Sequence, residues 1–262
     1  MLPGVYLACK KNGEPYYRAS ITYLGKHISL GSYPTESFAH RAYKIAGRVL
    51  ADPNKWTIYN YPPSCLLSFH KWVVLINFRD NKIYFKNPIY IRKSFFLYYI
   101  EKDLTLKFDV EDLFYYARHK IIKRGRHMFT SEYGMQVNLL SRYGIKNYSV
   151  AGKDYCFVNG DYTDFRYSNI EIINPYHGVT KLLKNGIPIY QAKIHINGDY
   201  IIGRYPSETE AAIAYNKAAN ILKDKGLYKN FPKNYIDEID EITYAAMYQR
   251  IRISKKIMDL II

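Results

Sequence analysis

The sequence predicts an α+β fold built from small three-stranded antiparallel sheets, each covered on one face by a helix. Three observations support this class: one segment occurs twice, both copies contain an Asn-Gly turn signal, and an alanine-rich helical pattern closes each copy. The copies begin at Gly4 and Gly178 and align with two single-residue gaps. Chance explains such long-range agreement poorly, so the repeat sets the frame of the fold.

The first part of each copy is predicted to form three strands. Asn-Gly at 12–13 and at 185–186 favours a tight hairpin, because both turn positions accept positive φ. The next strand alternates: Tyr17, Ala19 and Ile21 share one face, and the polar residues between them share the other. A second glycine turn then leads into a third strand that ends at Tyr-Pro in both copies.

A helix is predicted after the third strand of each copy. Thr35 can cap the first helix, and Ser207 with Glu210 forms a capping box for the second. Alanines recur at helical spacing in both copies, together with Tyr43 or Tyr215. Because alanine is small, such a helix can lie close against the sheet. We therefore expect it to cover one sheet face and to leave the other open to solvent.

Both copies resemble the Apetala/ethylene-response-factor DNA-binding domain, which also occurs in bacterial and phage integrases and homing endonucleases. The shared pattern is Gly-Val, aromatic-x-Ala-x-Ile, a glycine turn, Gly-x-Tyr and an alanine-rich helix with a tyrosine. In that family the sheet enters the major groove, and outward strand side chains contact bases and phosphates. The resemblance implies that double-stranded DNA is the partner of this chain.

The same resemblance assigns a DNA-reading face to each copy by position. In the first copy this face comprises Tyr6, Lys10, Arg18, Ser20, Thr22, Lys26 and His27. In the second copy it comprises Thr180, Lys184, Gln191, Lys193, His195 and Arg204. Outward Arg, Lys, Gln and Thr side chains can donate hydrogen bonds to base edges or phosphates. The alternative is a polar strand face that is simply solvated.

The charge of the chain agrees with a polyanionic partner. Lys and Arg number 38 against 23 Asp and Glu, which gives a formal net charge of +15 at pH 7. The densest basic run lies at 118–127, where a helix over 109–122 is predicted to end. A third phosphate contact is expected there from Lys123, Arg124 and Arg126. The alternative is a solvated helix C-terminus, where cations also suit the helix dipole.

Residues 156–170, CFVNGDYTDFRYSNI, resemble the core of the HNH nuclease family found in homing endonucleases. The matching residues are Asn159, Gly160, Asp161, Asp164, Arg166 and Asn169. In such proteins an Apetala-type domain commonly follows this core, as the segment from Gly178 does here. The resemblance implies a central ββα unit derived from a nuclease.

The groups that cut DNA in that family are missing here. Phe157 stands where the family has the histidine that acts as general base, and Cys156 stands where it has an adjacent metal ligand. Phenylalanine accepts no proton, and a lone cysteine is a poor ligand for Mg²⁺. We therefore expect no catalytic residue, no metal site and no cofactor, and we expect Phe157 to lie in the core.

A shifted site is the alternative for catalysis. Asp154, Asp161, Asp164 and His177 can in principle form one. The competing interpretation is structural, with both loop aspartates forming turns and Asp164 pairing with Arg166.

Four regions are predicted from these patterns. They are a first Apetala-type domain over 1–53, a degenerate HNH-like domain over 54–177, a second Apetala-type domain over 178–236 and a C-terminal helix over 237–262. An apolar stripe of Ile239, Ile242, Ala246, Ile253, Ile257 and Leu260 is expected on the last helix. This stripe either packs on the second repeat or pairs with another chain as a homodimer.

These expectations define one function and two rivals. The chain is predicted to be a bacterial or phage transcription regulator that reads specific double-stranded DNA in the major groove with two sheets and is catalytically inactive. Three separated cysteines without a CxxC pair predict a cytoplasmic location, and the absence of an apolar run of ~18 residues predicts no membrane partner. No small-molecule substrate is expected. The rivals are an active metal-dependent HNH-type endonuclease and a basic RNA- or protein-binding module.

Overall fold

The computed structural model of the chain describes residues 1–132 and 134–260. Within these residues there are five small antiparallel sheets and six α-helices, which confirms the predicted α+β class. No helix in the described part of the chain is both long and apolar enough to cross a membrane.

The described chain divides into two compact units. The first contains residues 1–139 and 161–169, and the second contains residues 140–160 and 170–262. The first repeat therefore lies in the first unit and the second repeat lies in the second. Residues of the predicted central domain, 54–177, are divided between them.

The first repeat forms the sheet and helix that its pattern predicts. Its elements are strands β1 (Val5–Cys9), β2 (Pro15–Tyr23) and β3 (Lys26–Tyr33) and helix α1 (Glu36–Ala51). The strands pair in the order β1-β2-β3. The Thr35 side chain caps α1 by accepting a hydrogen bond from the Phe38 amide. Ala39, Ala42 and Ala46 are completely buried, because the helix packs its small side chains on the sheet.

A second helix completes the core of the first unit. Helix α2 (Phe69–Asn81) begins at Ser68, whose side chain accepts a hydrogen bond from the Lys71 amide. Trp72 and Leu75 are fully buried in the same cluster as α1 and the first sheet. The first repeat therefore shares its core with residues that follow it in the chain.

The rest of the first unit contains two more sheets and a short helix. These elements are β4 (Ile89–Ile91), β5 (Phe95–Tyr99), β6 (Thr105–Asp109), α3 (Leu113–Arg118), β7 (Ile121–Arg124), β8 (His127–Glu132) and β9 (Met135–Asn138). The predicted helix over 109–122 is right only for its first part: residues 110–118 are helical, as a 3-10 turn over Val110–Asp112 followed by α3. Asp109 ends β6, α3 lasts six residues, and the β-branched pair at 121–122 starts a strand that pairs with β8. The basic run therefore lies on a hairpin instead of a helix end.

The second unit contains a two-stranded hairpin and the second repeat. Its elements are β10 (Tyr155–Phe157), β11 (Ile170–Ile172), β12 (Val179–Lys184), β13 (Ile187–His195), β14 (Asp199–Tyr205), α4 (Glu208–Asp224), α5 (Glu241–Arg250) and α6 (Lys255–Met258). The order β12-β13-β14 and the covering helix α4 reproduce the first repeat. Ser207 caps α4 by accepting a hydrogen bond from the Glu210 amide.

A glycine and a tyrosine that match between the copies have a common structural cause. Gly4 and Gly178 have φ of +76° and +72°, in the left-handed region that favours glycine. A Cβ at Gly4 would lie 2.1 Å from the ring of Tyr43, and one at Gly178 would lie 2.5 Å from the ring of Tyr215. The helix tyrosine thus packs directly on the glycine backbone, so neither position tolerates a larger residue without movement.

The C-terminal region differs from the single helix that was predicted. It forms α5 and α6 with extended chain between them, and Ile242 is 84% exposed. The continuous apolar stripe is therefore wrong. Ile253, Ile257 and Leu260 do pack on the core of the second repeat, which is one of the two alternatives left open by the sequence.

Candidate nucleic-acid interface

The open face of the first sheet lies opposite α1 and carries aromatic and basic side chains. Tyr6, Arg18 and Ser32 face one another across the three strands. The Arg18 guanidinium donates to the hydroxyl of Tyr16, from Nη2 at 2.6 Å and from Nε at 3.1 Å. Tyr6 is 54% exposed, and Arg18 is also exposed. Arg18 is therefore held in place at the middle of an accessible surface.

Two further residues of the predicted face are accessible at the end of the sheet. Thr22 and His27 are cross-strand neighbours, and both are exposed. Lys10 is exposed as well, but its ammonium pairs with the Glu14 carboxylate at 2.9 Å. At its centre the first face therefore has an arginine with no carboxylate partner among the described residues, and at its hairpin end it has a neutralised ion pair.

Ser20 does not belong to the accessible surface. Its side chain is 6% exposed, and its Oγ has no hydrogen-bond partner among the described residues. The strand pairing is irregular at this position: a bulge in β3 moves the register from Ala19 opposite Gly31 to Ser20 opposite Ser29. The expected DNA contact from Ser20 is therefore wrong, because a short buried hydroxyl cannot reach a base.

Lys26 lies on the side of the sheet that packs against the protein. It is opposite Tyr23, which contacts the core, and its ammonium lies 5.1 Å from the centre of the Tyr84 ring. Two residues with positive φ, Leu24 and Gly25, form the turn that sets this register. The assignment of Lys26 to the reading face is wrong for this reason.

The open face of the second sheet is organised around Arg204. Thr180, Gln191 and Arg204 form one row across the three strands. Gln191 is 7% exposed, and its Oε1 accepts a hydrogen bond from Nε of Arg204 at 3.1 Å. Gln191 is thus a positioning residue for an exposed arginine. Its expected role as a direct reader is wrong, since its side-chain oxygen is occupied and buried.

The remaining polar residues of this face differ in their accessible charge. Lys184 is exposed and Lys193 is half-buried, and neither has an ion-pair partner within the described part of the chain. His195 is exposed, but its Nδ1 lies 2.9 Å from a carboxylate oxygen of Asp199. That hydrogen bond lowers the pKa of Asp199, and the charge of Lys193 adds to the effect. The loop end of the second face therefore carries an acidic group.

Apolar side chains that the sequence analysis missed also lie on the second face. Leu182, Ile187 and Ile201 are 37%, 66% and 45% exposed, and their register places them with Lys184 and Lys193. The same alternation that assigned the polar residues could have found them. They give the second face a mixed character that the first lacks.

The third candidate contact is the hairpin of β7 and β8. Lys123, Arg124 and Arg126 are all exposed, and Gly125 with φ of +59° forms the turn between them. The ammonium of Lys123 pairs with Glu101 at 3.1 Å. Arg124 and Arg126 therefore supply most of the accessible positive charge at this tip.

The polar side chains of the loop that resembles the HNH core form hydrogen bonds and ion pairs within the first unit. The carboxylate of Asp161 accepts hydrogen bonds from the amide of Thr163 at 2.9 Å and from its hydroxyl at 2.7 Å. Asp164 is 2% exposed and pairs with Arg166 at 2.7 Å and with Lys107 at 3.6 Å. These contacts confirm the structural interpretation of both aspartates.

The asparagine of the motif serves the same loop. Asn169 is 4% exposed and donates to the carbonyls of Asp164 and Asp161 at 2.8 and 3.2 Å. The loop is also fixed to β6, because Lys107 donates to the Thr163 carbonyl and accepts from the Phe165 amide. The polar residues that match the motif therefore hold the loop in its conformation.

Electrostatics agree with this role for Asp164. Burial raises the pKa of a carboxyl group, but the hydrogen bonds from Arg166 and the charge of Lys107 outweigh it and hold the pKa of Asp164 below its usual value. A group that stays ionised and hydrogen-bonded in this way stabilises the loop at neutral pH.

The hairpin that carries Phe157 lacks the remaining parts of a ββα unit. β11 ends at Ile172 and β12 begins at Val179, and the described residues between them form no helix. The Phe157 ring is half-buried and packs edge-on against the ring of Tyr155, 6.0 Å away between ring centres. His177, from the alternative site, packs between the rings of Tyr148 and Tyr215, where burial lowers its pKa. In the part of the chain that the structure describes, no three His, Cys, Asp or Glu side chains are grouped as metal ligands.

Comparison with known proteins adds no further constraint. No family model, no curated protein and no solved structure matches this chain. The functional assignment therefore depends on the repeat, the charges and the surfaces described above.

Proposed function

We propose that this chain is a sequence-specific double-stranded DNA-binding protein without nuclease activity, with transcription regulation as its role. One observation carries the proposal. Both copies of the repeat form the same three-stranded sheet, with a helix on one face and an accessible, basic and polar surface on the other. The same polarity on two open sheet faces, in a chain of net charge +15, favours a common polyanionic partner over simple solvation.

The dimensions of each sheet suit the major groove. Neighbouring strands lie about 4.8 Å apart, so three strands span roughly 10 Å between the outer two. The major groove of B-DNA is about 12 Å wide, and it presents a donor and acceptor pattern that distinguishes all four base pairs. A sheet of this width can enter the groove with its open face toward the bases.

The side chains on the two faces supply both kinds of contact that such docking needs. Arg18 and Arg204 are arginines oriented by a neighbouring side chain, which favours bidentate hydrogen bonds to a guanine edge or a phosphate. Lys184 and Lys193 are suited to phosphate contacts. Two such sheets on one chain raise the affinity for a two-part site, because the second binding event is intramolecular.

Substitution of one basic residue on each face tests the proposal. Arg18→Ala and Lys193→Ala are each expected to weaken duplex binding roughly ten-fold, since a hydrogen bond to a charged group contributes about 1.5–3 kcal/mol. If the lost contact is to a phosphate, the slope of log K against log salt should fall by about 0.9. The measurement is a fluorescence anisotropy titration of a selected duplex at several salt concentrations.

Matched controls remove the same charge from the helix side of each repeat. Arg48→Ala on α1 and Lys223→Ala on α4 alter exposed basic residues of the covering helices and should leave affinity and slope unchanged. Equal losses in all four variants would mean that only net charge matters, and the docked face would then be abandoned. A preference for structured RNA over duplex at matched salt would also refute groove binding by the sheets.

A further inference from the structure

We infer that the C-terminal segment is part of the second DNA-binding surface, because it forms with β14 an arginine cleft that binds one backbone phosphate of the duplex. This inference rests on the proposed DNA binding and adds a contact from outside the repeat. It concerns three guanidinium groups, those of Arg204, Arg250 and Arg252.

The chain after α5 is attached to the edge strand of the second sheet. Ser254 donates to the carbonyl of Ile202 from its amide at 2.8 Å and to that of Ile201 from its hydroxyl at 3.0 Å. The Tyr205 hydroxyl donates to the carbonyl of Arg252 at 2.8 Å. Backbone groups and two side-chain hydroxyls therefore fix this segment beside β14, independently of its arginine side chains.

The end of α5 is held as firmly by a lysine of α4. The Lys217 ammonium donates to the carbonyls of Tyr248, Gln249 and Ile251 at 2.7, 3.1 and 2.9 Å. The last carbonyls of a helix have no partner within it, and a cation near them also suits the helix dipole. Arg250, at the end of α5, thus has a fixed backbone.

These anchors bring three arginines to one open cleft. The cleft has a volume of about 410 Å³, and its wall contains Arg204, Arg250, Arg252, Tyr205, Glu210 and Met247. All three arginines are exposed, and none forms an ion pair with a carboxylate among the described residues. Three guanidinium groups against one carboxylate leave the cleft with a net positive charge.

The chemistry of such a cleft favours a phosphate diester. Guanidinium groups form paired hydrogen bonds with phosphate oxygens, and they keep their charge at any physiological pH. The cleft is continuous with the open sheet face, because Arg204 belongs to both and is oriented by Gln191. A duplex docked on that face would place a backbone phosphate within reach of the C-terminal arginines.

The test compares two double variants of the full chain that lose the same charge. Arg250→Ala/Arg252→Ala removes the two cleft arginines contributed by the C-terminal segment, while Lys255→Ala/Lys256→Ala removes two neighbouring exposed lysines outside the cleft. The first is expected to lower duplex affinity roughly ten-fold or more and to reduce the salt slope by about 0.9. The second should do neither. Equal losses of affinity in the two double variants, or no loss in Arg250→Ala/Arg252→Ala, would overturn the proposed phosphate contact in the cleft.

A charge-preserving variant guards against a folding artefact. Arg250→Lys/Arg252→Lys keeps both charges and the backbone anchors, so it should keep the salt slope while losing part of the affinity, because lysine lacks the paired donors. Full wild-type affinity in this variant would show that the paired donors make no contribution, and would overturn the bidentate cleft.

The cleft can also be tested apart from DNA binding. Inorganic phosphate is titrated into the wild-type protein and into Arg250→Ala/Arg252→Ala, with NMR observation of arginine Nε–Hε signals. Saturable shifts in the wild type that the double variant lacks would support a phosphate site even if duplex binding failed, and the proposed function alone would then be wrong. Identical titrations of the two proteins would overturn the cleft.

Discussion

Arg18 and Gln191 occupy equivalent positions in the two repeats but have different structural roles. Arg18 is exposed and held by the hydroxyl of Tyr16. Gln191 is buried and itself holds an arginine of the next strand, Arg204. The accessible guanidinium therefore comes from the middle strand in the first copy and from the edge strand in the second. Under the proposed function, the open faces of the two sheets are therefore expected to prefer different base patterns.

Sequence alternation predicted most of the accessible residues on these faces, and its failures have physical reasons. Ser20 is buried where a bulge in β3 changes the register, and the alternation along β2 does not show that bulge, although Gly31 in β3 is a cue to it. Lys26 follows the turn at Leu24 and Gly25, and the length of that turn determines the sheet face on which the Lys26 side chain lies. Alternation predicts the sheet face to which a side chain points, but it does not predict whether residues of the neighbouring strands bury that side chain.

At Asp164 we predict a stability effect with a definite pH dependence. Asp164→Asn should destabilise the protein by roughly 1–3 kcal/mol at neutral pH, because it breaks buried hydrogen bonds to a charged partner. The folded-state pKa is depressed, so this stabilisation is complete above the unfolded value of about 3.9 and is lost as the pH falls through the folded pKa. Urea unfolding of wild type and variant between pH 7 and pH 3 measures the difference.

Asp161→Ala is the matched control for this prediction. The Asp161 carboxylate is exposed and accepts hydrogen bonds from Thr163, two residues away, so the loss of stability in Asp161→Ala should be smaller and should vary less with pH. A difference for Asp164→Asn that stays constant from pH 7 to pH 3 would contradict the proposed role of the ionised carboxylate.

At the scale of elements, the repeat units were predictable because several local signals agreed. All of these signals indicate a three-stranded sheet with a covering helix, and both repeats form it. The signals are the Asn-Gly turns, the alternating strands, the caps at Thr35 and Ser207, and the alanine spacing. Elsewhere the signals were in conflict. The basic run after Arg118 suited a helix end, but the β-branched residues at 121–122 formed a strand that pairs with β8 in a tight hairpin.

The glycine that opens each repeat provides a sharp test of the packing between sheet and helix. Gly178→Ala would place a Cβ 2.4 Å from the Lys193 carbonyl oxygen and 2.5 Å from the Tyr215 ring. We expect a loss of roughly 2–5 kcal/mol, the sum of left-handed strain and overpacking. Chemical denaturation followed by circular dichroism gives the free energy of unfolding.

Gly186→Ala separates these two contributions. Gly186 has φ of +80°, close to that of Gly178, but nothing lies within 4 Å of a Cβ there. Gly186→Ala should therefore lose about 1–2 kcal/mol of unfolding free energy, from left-handed backbone strain without a steric clash. If the two variants were equally stable, the close contact with Tyr215 would not be a determinant of the fold.

At the scale of the whole molecule, the nuclease-like segment is expected to be inactive in the presence of metal. Plasmid incubated with the protein and Mg²⁺ or Mn²⁺ should remain supercoiled, because Phe157 cannot act as a base and the polar loop residues maintain the loop. Phe157→His should not create activity, since the described residues between β11 and β12 form no helix that could supply a further ligand.

Agarose gel electrophoresis over a time course measures this prediction. Metal-dependent nicking by the wild type that disappears in Asp161→Ala would contradict it, provided that the variant retains its fold by circular dichroism. Such a result would favour the endonuclease over the binding protein.

The chain passes from one compact unit to the other three times, after residues 139, 160 and 169. A gene cut once, between the codons for 139 and 140, would therefore leave the first fragment without the nine-residue return segment that bonds to β6 and contains the Asp164–Arg166 pair. A fragment ending at residue 139 would therefore lack part of its own unit, so the two repeats should be expressed and studied in one continuous chain.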